Sequence, residues 1–185
     1  MSDDKTIQAQ KASKTLRRFG LGLGALGALS SVFGIYFLFI ANETLSWSSV
    51  DGSVVKTSIN TASSLQKGSG ATSDFAIEYY VSIDYTYDVN GQPYVSSLYS
   101  LGEGENVGRR FRDRGDAEAE AASRFPTGTV VTVHYNPQNP AEAVLKTGWN
   151  WGTLTPLLLG LFLGGTGWLF YAVGKSAKVP SQSKA

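Results

Sequence analysis

The densest cluster able to do chemistry is cationic: Arg109, Arg110, Arg112 and Arg114 surround Phe111 within a Gly-rich stretch. Guanidinium groups at this density could meet anionic headgroups or a polyanionic envelope polymer. Glu103, Glu105, Asp113 and Asp116 flank them, however, and local ion pairing on a loop accounts for the cluster better. His134 is the one histidine, and the chain has no cysteine. A metal would therefore have to be held largely by carboxylates, which makes a zinc site a poor fit. Glu78, Asp84 and Asp88 share one face of an extended segment, separated by about 7 Å per two-residue step. Paired carboxylates can cleave glycosides, but a solvated outer face explains them more simply. No G-x-S-x-G context accompanies the serines, and Arg114-Gly115-Asp116, an adhesion tripeptide, is short enough to arise by chance. The expectation is a chain without catalytic residues, metal or cofactor, and not an enzyme.

The elements that would position these residues are set by two apolar runs. Phe19 to Ala41 and Trp151 to Val173 are each 23 residues without a charge. A helix of that length spans about 35 Å, enough for a hydrocarbon core of about 30 Å. A charge at mid-bilayer costs roughly 2.5–3.5 kcal/mol, so two charge-free runs are informative. The first run is too long for a signal-peptide core, and Phe39-Ile40-Ala41 is not a small-x-small cleavage site, so it reads as an uncleaved anchor. Gly20, Gly24 and Ala28 recur at four-residue spacing on the first span, and Gly160 and Gly164 on the second, a pattern that lets helix backbones approach within one chain or between copies. Glycine tolerated as an ordinary apolar residue accounts for them equally well. The G-x-G-x-x-G string at Gly22–Gly27 lacks the strand and βαβ unit of a dinucleotide site and lies within a span.

Charge orients the chain. The segment from Asn42 to Asn150 carries 8 Lys/Arg against 13 Asp/Glu, a balance of −5, while the tails hold the other 8 Lys/Arg and only Asp3 and Asp4. Lys5, Lys11, Lys14, Arg17 and Arg18 precede the first span, and Lys175, Lys178 and Lys184 follow the second, so both tails are expected in the cytoplasm and the middle outside. The expected organisation is a basic tail 1–18, span 19–41, an extracytoplasmic β-rich domain 42–150, span 151–173 and a basic tail 174–185. Nucleic acid is not an expected partner, because the domain is acidic and faces away from the cytoplasm.

Within the middle, Phe75 to Val89 alternates strictly, with Phe75, Ile77, Tyr79, Val81, Ile83, Tyr85, Tyr87 and Val89 on one face. Period two of this length predicts a strand with one buried face, bent or bulged because fifteen extended residues would reach about 50 Å. Asn90-Gly91 predicts a tight hairpin that pairs Tyr87 with Tyr94 and Ile83 with Leu98, and Pro93 places the return strand at a sheet edge. Trp47 to Ile59 reads as a strand or hairpin interrupted at Asp51-Gly52, and Asn60 to Ser73 as a flexible loop. Asp116 to Arg124 reads as a short helix capped by Asp116, and Thr129 to Tyr135 as a strand with His134 opposite the core. Asn136 to Pro140 reads as a turn, and Ala143 to Leu145 as a last strand. The fold class is two transmembrane helices flanking one small, mainly antiparallel β domain with one short helix.

The order of features carries a resemblance. Tyr85-x-Tyr87-x-Val89-Asn90-Gly91-x-x-Tyr94 is followed by a short helix, then by Phe125-Pro126-x-Gly128-x-x-Val131-x-Val133-x-Tyr135-Asn136-Pro137-x-Asn139-Pro140 and Ala143-Val144-Leu145. Flanked by two spans, this resembles the bacterial domain-of-unknown-function family 3592, from Trp47 to Leu145. The resemblance implies an extracytoplasmic β-rich module in a bacterial envelope and carries over no site residues.

The expected function is that of a non-enzymatic, membrane-anchored envelope protein of the bacterial inner or plasma membrane. Its β domain would serve as an interaction or accessory module for another membrane or envelope protein, with the lipid bilayer and further copies of the chain as other partners. An oligomeric two-span channel or pore subunit is the alternative, although Ser30, Ser31, Thr153, Thr155 and Thr166 are its only polar liners. An envelope enzyme or ligand-binding domain comes third.

Overall fold

The computed structural model describes residues 2–67 and 73–176. Lys178, Lys184 and residues 68–72 of the expected loop lie outside the described residues. In chain order the elements are helix α1 (Ser2–Glu43), a 3-10 turn (Thr44–Ser46), strands β1 (Ser48–Lys67), β2 (Ser73–Val89) and β3 (Gln92–Ser96), helix α2 (Arg114–Arg124), strands β4 (Val130–Asn136) and β5 (Asn139–Val144), and helix α3 (Trp151–Ser176). They form two compact units, one built from α1 up to Leu38 with α3 from Leu154, the other spanning Phe39–Thr153.

In the helical unit, α1 and α3 are long and apolar enough to cross a membrane. Only 11% and 17% of their most apolar windows are buried, so neither is the core helix of a globular body. Burial recurs every seven residues, at Gly20, Gly27 and Gly34 on α1 and at Gly160, Gly167 and Gly174 on α3. These glycines bring the two backbones together in antiparallel fashion. A Cβ on Gly20 would stand 2.6 Å from the Gly167 carbonyl oxygen, one on Gly34 would stand 2.5 Å from the Leu157 nitrogen, and one on Gly27 would strike Gly164 and Gly160. A strict seven-residue repeat fits a left-handed supercoil, because 3.5 residues per turn falls short of the helical 3.6. The Ser30 hydroxyl donates to the Pro156 carbonyl at 2.7 Å and the Ser13 hydroxyl to the Gly174 carbonyl at 2.5 Å. Of the residues marked by four-residue spacing, Gly20 and Gly160 lie in this seam. Gly24 and Gly164 lend it only backbone, since a Cβ on either would meet nothing within 4 Å, and Ala28 is exposed.

The second unit is a five-stranded antiparallel sheet in the order β3-β2-β1-β4-β5. β2 follows the predicted alternation, and Val81, Ile83, Tyr85, Tyr87 and Val89 are buried on one face. Val54 of β1, Val133 of β4 and Ala143 of β5 join them, and Ala117 and Ala121 of α2 with Val107 and Phe111 close the layer. Asn90 and Gly91 take φ of +57° and +81°, as a two-residue primed turn requires. Tyr87 pairs with Tyr94, and β3 is an edge strand as Pro93 demanded. The ladder ends at Tyr85 opposite Ser96, so Ile83 and Leu98 do not pair.

Three expectations are corrected. β1 is one uninterrupted strand of 20 residues that takes up Asp51-Gly52 and residues 60–67 of the stretch expected as a loop. Gly52 is no turn: β1 is flanked there by β2 and β4, and a Cβ would meet the Thr86 carbonyl oxygen at 2.6 Å and the Val133 side chain at 2.7 Å. The irregularity expected in β2 lies instead in β1, where the register shifts between Val54 and Lys56. Helix α2 begins two residues before Asp116, because Asp113 is its cap and accepts from the Gly115 amide at 2.7 Å.

The two core tyrosines reach the rim of the layer. The Tyr85 hydroxyl lies 2.8 Å from the Leu98 carbonyl and 3.2 Å from that of Ala143, and the Tyr87 hydroxyl donates to the Pro140 carbonyl at 2.6 Å. Burial pushes the Tyr85 phenol from 10.0 up to about 12, against the opposing hydrogen bond with Ser96, and burial raises Tyr87 in the same direction. A raised phenol favours the neutral form in the fold. Below pH 10 the Tyr85 phenol is neutral in both the folded and the unfolded chain, and this stability is fully present. Between pH 10 and about 12 the unfolded chain ionises first, and up to about 3 kcal/mol is lost through Tyr85. Urea midpoints are therefore expected to fall steeply from pH 10 to 11.5, and less steeply in Tyr85→Phe.

Candidate interaction surface

The arginine cluster is positioned by the strand edge beside it. After β3 the chain returns to the outer edge of β2: the Val107 amide donates to the Val81 carbonyl at 2.9 Å, and Tyr79 and Phe111 exchange both backbone bonds at 2.8 and 2.7 Å. Gly108, at φ +96°, makes the bend that this return needs. Phe111 is thereby pinned in the core, and the guanidinium of Arg109 lies 4.7 Å from its ring centroid. Arg110 approaches Glu78 at 3.5 Å across the strand edge, and Arg114 binds Glu118 one helical turn away at 2.8 Å. Arg112 is exposed and makes no ion pair among the described residues. The cluster thus splits into one cation stacked on its own phenylalanine, two paired with carboxylates and one facing solvent.

The same edge carries a feature that the alternation pattern concealed. Beyond Phe111 the chain turns into the Asp113 cap and leaves β2, so nothing among the described residues pairs with the outer edge of β2 past Tyr79. β1 and β2 continue together as a two-stranded ribbon out to the pair Lys67–Ser73. On this ribbon Phe75 is 78% exposed and Ile77 60%, on the face that is core at Val81 and Ile83. Alternation alone places all eight odd-numbered residues from Phe75 to Val89 on a buried face. The fold covers that face only as far as α2 and the 107–111 segment reach. A groove of about 300 Å³ between α2 and β1, lined by Thr57, Ile59, Glu118, Ala121, Phe125 and Pro126, opens beside the ribbon. The missed signal was the partner strand: Asn60 to Ser64 has no apolar residue larger than alanine, which betrays a stretch of ribbon without a covering layer.

His134 sits on β4 opposite Ser49 and Val144. Glu78, Asp84 and Asp88 lie along the polar face of β2, where Asp88 accepts from the Gly91 amide at 2.7 Å. Among the described residues no three His, Asp or Glu side chains come together to hold a metal.

No curated protein matches the chain. A family model does match, that of a domain of unknown function (DUF3592), over residues 50–150. The matched span runs from the third residue of β1 to the residue before α3 and takes in β2 to β5, α2, the arginine segment and the exposed ribbon. Because the match covers more than half of the chain, the protein is a member of the DUF3592 family.

Proposed function

We propose that this protein crosses a bacterial inner or plasma membrane twice with both tails in the cytoplasm. Its extracytoplasmic β domain acts, without catalysis of its own, as an interaction module for another membrane or envelope protein. The membrane part is supported by the outward faces of α1 and α3, where Leu21, Leu29, Phe33, Leu161 and Phe162 are all more than half exposed, an arrangement costly in water and favourable in lipid. The basic tails support the orientation. The observation that carries the interaction reading is the pair Phe75 and Ile77, exposed on a ribbon whose outer β2 edge is unpaired among the described residues. Such an edge offers backbone donors and acceptors to an added strand, and the apolar side chains give it a reason to dock.

The test is site-specific photo-crosslinking in intact cells. A photoreactive residue at Ile77 is expected to give a discrete adduct with one membrane or envelope protein, whereas the same group at exposed Thr132 on the polar face gives none. Recovery of the uncrosslinked chain alone, or of the same adducts from both positions, would sink the reading.

A further inference from the structure

The helical unit carries a second surface that the β domain does not explain. An apolar groove of about 410 Å³ runs between α1 and α3, with a floor of Gly20, Gly24, Gly164 and Gly167 and walls that include Trp168 and Tyr171. It is open because Gly24 and Gly164 are glycine: a side chain on either would project into free space. Its volume lies in the usual range of about 300–1,000 Å³ for small-molecule sites.

What fits the groove is decided by the charge at one end. Residues three and four apart share a helix face, so Leu21 and Gly24 continue through Arg17 to Lys14 on α1. On α3, Gly164, Trp168 and Tyr171 continue to Lys175 in the same way. Both lines run toward the same end, because the helices are antiparallel. The Arg17 guanidinium lies 5.5 Å from the Tyr171 ring centroid, at the mouth of the groove. Lys14, Arg17 and Lys175 are all exposed. No acidic residue occurs between Asp4 and Glu43, or after Glu142, so these cations have no internal carboxylate to satisfy them. The C-terminal end of α3 contributes a partial negative charge of about half a unit, which three cations outweigh.

Resting on the membrane reading above, we infer that this groove is a binding site for an anionic phospholipid. One acyl chain lies over Gly24 and Gly164 against Trp168, and the phosphate sits among Lys14, Arg17 and Lys175. An apolar slot capped by cations at the cytoplasmic headgroup level matches both parts of such a lipid, and a zwitterionic lipid would gain only the first.

The experiment uses the full-length protein with Trp47, Trp149 and Trp151 changed to Phe, so that Trp168 alone reports. It is reconstituted into phosphatidylcholine vesicles containing either brominated phosphatidylglycerol or brominated phosphatidylcholine. Brominated phosphatidylglycerol is expected to quench Trp168 with an apparent affinity at least several-fold higher than brominated phosphatidylcholine. Each of Arg17→Gln and Lys175→Gln should lower that preference about fivefold. Lys56→Gln, at an exposed position on β1 in the other unit, should leave it intact. Gly24→Leu, which fills the slot without touching the seam, should abolish quenching by the preferred lipid while the helices stay paired. Equal quenching by the two lipids, or a preference untouched by Arg17→Gln and Lys175→Gln, overturns the site and leaves the membrane reading standing. Absence of quenching by either lipid overturns both.

Discussion

Tyr85→Ala should unfold the β domain under conditions where the native chain is folded. The ring is fully buried in the layer between the sheet and α2, and its hydroxyl links Leu98 in the connection after β3 to Ala143 on β5. Truncating a buried aromatic residue costs about 3–5 kcal/mol through lost burial and the cavity left behind. Total stabilities are about 5–15 kcal/mol, so the loss is a large share. Tyr85→Phe keeps the ring and removes only the donor, and should cost about 1–2 kcal/mol because the Leu98 carbonyl loses its donor, while the Ala143 carbonyl keeps the Ser96 hydroxyl at 3.4 Å. Val95→Ala, at a side chain 67% exposed on β3, should change stability by less than about 0.5 kcal/mol. Urea unfolding of the full-length protein in detergent, followed by tryptophan fluorescence, reads all three. A Tyr85→Ala midpoint close to that of Val95→Ala would show that the layer is not the core.

The second large effect is expected within the helical pair. Gly27→Leu should separate α1 from α3, whereas Gly24→Leu should leave them together. At Gly27 an added Cβ strikes the backbone of Gly164 and Gly160, and backbone cannot rotate away as a side chain can. Overpacking a close contact costs about 1–3 kcal/mol, and the branched end of a leucine reaches well past that Cβ. Because the chain has no cysteine, thiols placed at Phe19 and Phe170, whose rings meet edge-on at 5.6 Å, can report on pairing. A short bifunctional thiol reagent should cross-link this pair efficiently in the Gly24→Leu background and poorly in Gly27→Leu. Equal yields in both would mean that the seam does not follow the seven-residue glycines.

That contrast also shows how a correct residue type can be assigned to the wrong periodicity. Gly20 and Gly160 were visible through the four-residue pattern, but Gly27, Gly34, Gly167 and Gly174 repeat at seven and form the contact. Both periods were present in the sequence. Choosing between them required knowing which face of α1 meets α3. The arginine cluster is a similar case. Its flanking carboxylates were evident, yet only the return of the chain to β2 sets Arg109 on Phe111, brings Arg110 to Glu78 and leaves Arg112 facing solvent.

Residue order was enough to specify the local elements: two long apolar helices, the alternating strand β2, the Asn90-Gly91 turn with its edge strand, the short helix and the family to which they belong. Those follow from interactions a few residues apart, namely hydrophobic period, positive φ at a turn and the missing donor of a proline. The tertiary structure alone decided that the polar stretch after Ile59 is a strand, that Gly52 is packed between strands, and that Phe75 and Ile77 are left uncovered. Each of those depends on what a distant part of the chain lays alongside: β2 pairs with a polar segment of weak strand propensity, β4 closes over Gly52, and α2 with the 107–111 segment ends before the ribbon does. Periodicity says which side chains share a face, and only the packing says how far along that face the cover extends.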